Sequence, residues 1–347
     1  MRGTMKAMVL KEWGKPLILE ERPIPQVGPL ESLIKVKACG VGLTLTHFRE
    51  GRSGGSVPRI IGHEIGGVVE EIGSLVTTCK PGDRVAVSFY LTCGYCKWCI
   101  EGRETLCENL AGHVGKDIDG GYAEYVKIPQ QNIIQIPEGI GFAEAGITTD
   151  AVATNWHVFK ERAKTKPNDV VLVSGAGGGV GIHAVQVAKV FGARVIGTDI
   201  SHEKLAKVKE YGADEVINVK GKDLAQEVRR ITNGKGVDTA VDMVSTKETI
   251  EGCIKSLARG GRMVVVGLPR TEIASLNFNP RQLLTDELIL TGCRCATKQE
   301  IRESLELVRR GQVKPLILQT FRLEEANRVH DLIDNMMLTG RNAFLFH

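Results

Sequence analysis

Residues 170–181 read Val170-Val171-Leu172-Val173-Ser174-Gly175-Ala176-Gly177-Gly178-Gly179-Val180-Gly181. The opening run is short, unbroken and apolar, as expected of a strand buried on both faces. The glycines let the chain turn tightly out of that strand, and residues 182–191 continue in a helical pattern. Strand, glycine turn and helix in this order make a phosphate cradle, because backbone N–H groups and the positive end of the helix dipole face the same point. Gly175, Gly178 and Gly181 fit a G-x-x-G-x-x-G variant of the dinucleotide fingerprint. A glycine turn alone is weak evidence, and here its context carries the weight. Arg194–Gly197 makes the next strand, and Asp199 closes it 24 positions after Gly175. A carboxylate there accepts hydrogen bonds from ribose hydroxyls and repels a 2′-phosphate, so NAD(H) is expected over NADP(H). Lys204 lies close enough in sequence to oppose that preference, and a merely solvated Asp199 is the plain alternative.

Working outward, Glu215–Asn218, Thr239–Asp242 and Met263–Val266 read as further short strands with helical stretches between them. That alternation predicts a parallel sheet covered by helices on both faces, a doubly wound α/β domain of Rossmann type. Residues 1–150 have another texture: short alternating runs such as Leu33–Lys37 and Arg84–Val87, punctuated by turns such as Lys80-Pro81-Gly82-Asp83. They predict an all-β, barrel-like domain. The last residues hold a helix near Lys298–Arg310 and an apolar strand at Ala343–Phe346. The expected divisions are 1–150, 151–292 and 293–347.

A chain of 347 residues, 42% hydrophobic and 25% charged, fits a globular protein with two cores. A net charge of +4 without basic blocks implies no nucleic-acid partner. No run nears the roughly 18 apolar residues of a membrane span. The opening MRGTMKAMVL lacks a signal peptide's apolar core, so a cytoplasmic protein is expected. Cys93, Cys96, Cys99 and Cys107 are spaced C-x2-C-x2-C-x7-C. Four thiolates so close together can close a tetrahedral shell around one zinc with no open position, a structural site in a lobe spanning 93–107.

These features, with Gly62-His63-Glu64, the stretch Gly120–Tyr125 and the segment Gly260–Gly267, resemble the medium-chain dehydrogenases/reductases of the zinc-type alcohol dehydrogenase kind over nearly the whole chain. The resemblance implies a GroES-like first domain that carries the catalytic groups, with residues 293–347 returning to it. It also implies cofactor contacts from Gly175, Gly177, Gly178, Gly179, Val180, Gly181, Asp199 and Gly267. The glycine turn is one residue longer than the usual alcohol dehydrogenase form, closer to the branch of quinone and enoyl-thioester reductases. In the family a catalytic zinc is held by a Cys, the His of GHE and a later Cys or Asp, with the Glu of GHE as an alternating ligand. Here His63, Glu64 and Asp150 match, but the Cys position is Gly42. Leu45 stands where a carboxylate would orient the ligand His, and Leu43 where a His or Arg often meets the pyrophosphate. Thr44, the substrate-contacting hydroxyl, and His47, the end of the proton relay, are kept.

Losing the thiolate changes both softness and charge of the donor set. The catalytic zinc is therefore expected to be absent or weakly bound; the alternative is a metal on His63, Glu64 and Asp150, with Cys39 a distant substitute. Taken singly, His63 reads as a packed histidine, Asp150 as the N-cap of a helix starting at Ala151, and His47 as a surface residue. Arg294, in Gly292–Thr297, reads as an anion contact or a surface ion pair. Three functions stay open: an NAD(H)-dependent alcohol dehydrogenase or carbonyl reductase acting through Thr44, His47 and His63; a zinc-independent enoyl-thioester, enone or quinone reductase; and a non-catalytic NAD(H)-binding relative. A small-molecule substrate and a homodimer or homotetramer are implied by the resemblance.

Overall fold

The computed structural model describes residues 3–269 and 271–346. The described residues up to Ala153, Ala296–Gly311 and those from Pro315 onward form one unit, and Thr154–Cys295 with Gln312–Lys314 a second. In the first unit the chain makes β1 (Thr4–Leu10), β2 (Ile18–Pro23), β3 (Glu31–Val41), α1 (Leu43–Arg49) and β4 (Arg59–Ile60). It continues through β5 (Ile65–Ile72), β6 (Arg84–Val87), α2 (Lys97–Ile100), β7 (Tyr125–Pro129), β8 (Ile133–Gln135) and α3 (Phe142–Ile147). β1 pairs antiparallel with both β2 and β4, and β3 pairs antiparallel with β5 and β7. Alternate residues of β3 point into a core that includes Leu10, Ile34, Ile65 and Tyr122. After α3 the helical run widens into a π-type turn over Thr148–Val152 and resumes as α4 (Ala153–His157).

The second unit carries β9 (Val170–Ser174), α5 (Gly181–Val190), β10 (Arg194–Asp199), α6 (His202–Glu210), β11 (Glu215–Asn218), α7 (Leu224–Ile231), β12 (Val237–Asp242), α8 (Lys247–Ser256), β13 (Leu257–Val265), α9 (Pro280–Thr285) and β14 (Ile289–Gly292). All neighbouring strands are parallel, in the order β11-β10-β9-β12-β13-β14. Counted within the unit this is 3-2-1-4-5-6, the doubly wound order, so the α/β expectation holds. Each β–α connection begins its helix with a side-chain cap where the sequence provides one. Ser201 accepts from Lys204 N–H, Asp223 from Gln226 N–H, and Thr246 from Thr249 N–H. Leu172, Ile196, Val228, Ala240 and Met263 fill the space between sheet and helices.

The chain then adds α10 (Lys298–Arg309), β15 (Ile317–Phe321), α11 (Ala326–Asp334) and β16 (Arg341–Leu345) to the first unit. A Thr297/Glu300 capping box starts α10. β16 pairs antiparallel with the end of β3, Asn342 opposite Val41 and Phe344 opposite Cys39. The larger sheet is thereby β15-β16-β3-β5-β6-β8, with β7 also on β3. This pairing brings residue 341 beside residue 42. Among the described residues no helix is long and apolar enough to cross a membrane.

Candidate active site

The glycine turn sits at the carboxyl end of β9, where ligands bind in open parallel sheets. Gly175 has φ +74°, a region that disfavours any side chain. Gly177 N–H donates to Asp199 Oδ2 at 3.1 Å, so the acidic residue at the end of β10 is tied to the turn itself. Asp199 Oδ1 accepts from Ile200 N–H (2.8 Å) and Ser201 N–H (3.1 Å). Three amides thus fix the carboxylate. A side chain on Gly177 would begin 2.7 Å from Asp199 Oδ2 and 2.5 Å from Lys204 Cβ, so that approach also excludes a Cβ. At Gly178 an added Cβ would meet nothing nearer than Gly175 O at 3.4 Å, the same oxygen that accepts from Gly178 N–H (3.1 Å). Asn155 Nδ2 donates to Val180 O (2.9 Å), and His183 Nδ1 is 2.7 Å from Gly179 O. Gly267 N–H donates to Asp242 O and Gly267 O accepts from Ser245 Oγ (2.7 Å), at the carboxyl ends of β12 and β13. A glycine turn leading into a helix N-terminus beside a fixed carboxylate fits a dinucleotide.

The four cysteines converge. Their Sγ atoms lie within 4.8 Å of one another, with Cys93–Cys99 at 3.9 Å and Cys96–Cys107 at 4.0 Å. A regular tetrahedron with metal–sulfur bonds of about 2.3 Å has edges of about 3.8 Å. A disulfide needs about 2.05 Å instead. Backbone amides already point at these sulfurs: Cys93 N–H to Cys107 Sγ (3.3 Å) and Cys96 N–H to Cys93 Sγ (3.4 Å). Burial works against the Cys93 thiolate, but amides of Tyr95 and Cys96 bring its pKa down to about 6. Burial and the neighbouring sulfurs push Cys99 up to about 12. The set fits zinc: without a cation, four thiolates so close repel.

The second cluster is different. His63, Glu64 and Asp150 each offer an atom within 4.8 Å of the others, but a fourth residue stands among them. Arg341 Nη2 is 2.6 Å from Glu64 Oε1 and 2.8 Å from Asp150 Oδ2. The Arg341 side chain is 5% exposed. Burial alone would lower its pKa, and the two carboxyls more than offset that, holding the guanidinium charged. Burial pushes the Glu64 carboxyl up to about 8, with Arg341 pulling it down and Asp150 pushing it further up. One proton on Glu64 leaves one carboxylate facing one guanidinium, a balanced charge in a buried place. His63 Nε2 lies 3.6 Å from Asp150 Oδ2, and its ring packs on Phe89 with centroids 4.6 Å apart.

Gly42 explains how the guanidinium fits. Its φ of −152° is extended and open to any residue, so conformation does not demand glycine. Space does: a Cβ on Gly42 would lie 2.6 Å from Arg341 Cζ and closer still to Nη1. The residues here therefore do not fit the family's catalytic zinc. The thiolate position is filled by an arginine side chain, both carboxyls are engaged by it, and Leu45 is buried in the core where an orienting carboxylate would stand.

α1 presents Thr44 to solvent and buries His47, three positions on, so a surface role for His47 is overturned. Asp150 lies inside the π-type turn of a continuing helical run, and it caps no helix at Ala151. Such widened turns recur at functional positions because they re-aim one side chain. Cys39 is buried beside Gly62 and Gly121 and far above its usual pKa through burial and Glu64. It behaves as core. Arg294 is exposed. Arg341 was missed by sequence reasoning; its signal was a lone charge, after Gly340, opening an apolar terminal strand.

Comparison with known proteins gives the following. The family "Alcohol dehydrogenase GroES-like domain" matches residues 28–138, and "Zinc-binding dehydrogenase" matches residues 179–310. A curated relative from Sulfurisphaera tokodaii, described as NAD-dependent alcohol dehydrogenase, is 36% identical over 98% of this chain and 100% of its own. Among solved structures, that of AibC superimposes with a TM-score of 0.92 at 36% identity, covering 99% of this chain and 96% of that one. The crystal structure of an NAD-dependent alcohol dehydrogenase has a TM-score of 0.92 at 34% identity, covering 99% and 100%.

Proposed function

The chain belongs to the medium-chain dehydrogenase/reductase superfamily as an NAD(H)-dependent oxidoreductase, and we propose that it moves hydride between nicotinamide and an alcohol or ketone without a catalytic zinc. The observation that carries the cofactor assignment is the Asp199 carboxylate, fixed by Gly177 N–H at the end of β10 on a sheet of doubly wound order. Gly175, Gly177, Gly178, Gly179, Val180, Gly181 and Gly267 contribute the backbone that meets the dinucleotide, and Asp199 accepts from its ribose. When bound, NADH supplies the hydride. The oxygen of a reduced ketone must gain a proton; the exposed hydroxyl of Thr44 is the donor to it, with His47 on the same helix as the reserve. His63 stays beside Asp150 as part of the site's polar wall. Cys93, Cys96, Cys99 and Cys107 hold one structural zinc, which touches no substrate.

A second reading is favoured by one observation, the guanidinium in the metal's place. Without a Lewis acid, hydride transfer suits a substrate that spreads its own charge, such as an enone or enoyl thioester, where hydride goes to the β-carbon and the proton to the α-carbon. NADH oxidation assayed with a cyclic ketone, an enone and an enoyl thioester separates the two: turnover of the ketone, with alcohol oxidation in reverse, supports the first, and turnover of the conjugated substrates alone supports the second. Tight NADH binding with no turnover on the panel would sink both. The enzyme's small-molecule substrate, homo-oligomeric state and cytoplasmic setting are part of the same proposal.

A further inference from the structure

We propose that Arg341 is the resident cation of the pocket formed by His63, Glu64 and Asp150, standing in for the zinc of related enzymes, and that Gly42 is the change that admits it. Three separate observations meet on this one side chain. Nη2 bridges Glu64 Oε1 (2.6 Å) and Asp150 Oδ2 (2.8 Å), the two oxygen donors a metal would need. The residue facing the rest of the guanidinium is Gly42, where even one carbon would lie 2.6 Å from Cζ. The guanidinium is nearly sealed from solvent, so it cannot leave without stranding its own charge and two carboxyls.

The strand pairing makes the arrangement permanent. Arg341 N–H donates to Leu316 O at 3.0 Å, and Asn342 opposite Val41 sets the register of β16 on β3. The backbone at residue 341 is therefore held beside the end of β3, one residue before Gly42. A guanidinium suits the position better than an ammonium: it is planar, permanently charged and carries several donors in a fixed fork, so one group can serve two carboxyls. Zinc and guanidinium cannot share those oxygens, since each would repel the other at a few ångström in a poorly screened interior. Arg341 is a positioning residue. It neutralises the cluster and holds Asp150 Oδ2 3.6 Å from His63 Nε2, leaving the ring as a hydrogen-bonding group rather than a ligand.

The proposal stands whichever substrate is reduced, because its test reads metal and not turnover. Full-length protein expressed with ample zinc is dialysed first against buffer and then against micromolar zinc, and bound zinc is counted by mass spectrometry. The wild type is expected to hold one zinc per chain in both conditions; a second tightly bound zinc overturns the proposal. Gly42→Cys/Arg341→Ala, which restores a thiolate and removes the guanidinium, is expected to rise to two, with a cobalt-substituted form gaining a second set of visible absorption bands. A folded double variant that stays at one also overturns it. Arg341→Lys, which keeps a cation in place, is expected to stay at one, a pattern that a role in packing alone does not produce. Should the double variant fail to fold, the wild-type count under zinc dialysis still decides.

Discussion

At the scale of single residues, the site is governed by what glycine leaves out. Gly42 is glycine for room and Gly62 for both room and backbone: it has φ +101°, and a Cβ there would lie 2.9 Å from Cys39 Sγ. Gly62→Ala is expected to destabilise the first unit by about 2–4 kcal/mol, from strain and overpacking together, measured as a drop in the denaturant midpoint with unchanged slope; a change below about 0.5 kcal/mol would contradict this account. Asp199 is the residue whose place beside the turn was legible in advance, because strand, glycine turn and acid are local and their spacing sets it. Hydrogen bonds to a charged group contribute about 1.5–3 kcal/mol, so Asp199→Gly should weaken NADH by a factor of about 10–150 and shift preference toward NADPH. Unaltered KM values for both cofactors would rule the assignment out. Arg341 was not legible. Nothing local relates it to residue 42; only the pairing of β16 with β3 does.

At the scale of elements, the legible parts were those whose pattern repeats within a short window. The parallel strands β9 to β12 and the capped helices between them follow from apolar runs and side-chain caps. β16 was read as Ala343–Phe346 but begins at Arg341, and those two extra residues carry the guanidinium into the pocket. The π-type turn at Thr148–Val152 had no signature either, since one widened turn leaves no periodicity to detect. The cysteine lobe was readable because ligand spacing is itself the signal. Its α2 is a helix of four residues that buries none of them, flanked by the sulfur cluster and by Arg103 stacked on Trp98 at 4.6 Å. Cys99→Ser is expected to lower zinc from one per chain to near zero and to open residues 93–107 to protease. If the lobe loses about 3 kcal/mol, the first unit's Tm falls by roughly 6–12 °C. Retention of zinc in that variant would show that the four sulfurs do not act together.

At the scale of the whole molecule, acid stability is set by groups buried neutral, and His330 on α11 is the clearest. Burial, with a smaller push from the Arg49 charge, lowers its pKa from 6.5 to about 3. Its Nε2 is 3.3 Å from Tyr122 Oη, and the rings of Tyr122 and Phe344 pack against each other, while the carboxylate of Asp334 on the same helix is paired with Arg49 at 2.6 Å. The unfolded chain takes up a proton on this side chain below about pH 6.5, whereas the folded chain refuses it until about pH 3. Between those values the unfolded state binds more protons, so stability is full above about 6.5 and drains away as the pH falls. At about 1.4 kcal/mol per unit the loss is on the order of 4 kcal/mol by pH 3.5, large beside the usual 5–15 kcal/mol of a folded domain. Glu64 works in the opposite sense, because its raised pKa withdraws stability as the pH rises from about 4.5 toward 8. Comparing wild type with His330→Gln isolates the histidine from that second limb. The variant should lose less stability between pH 6.5 and 4 in urea melts followed by tryptophan fluorescence, and the two curves should converge or cross in acid. Parallel curves over that range would mean that the ring is protonated in the folded protein and that Tyr122 and Arg49 tolerate its charge.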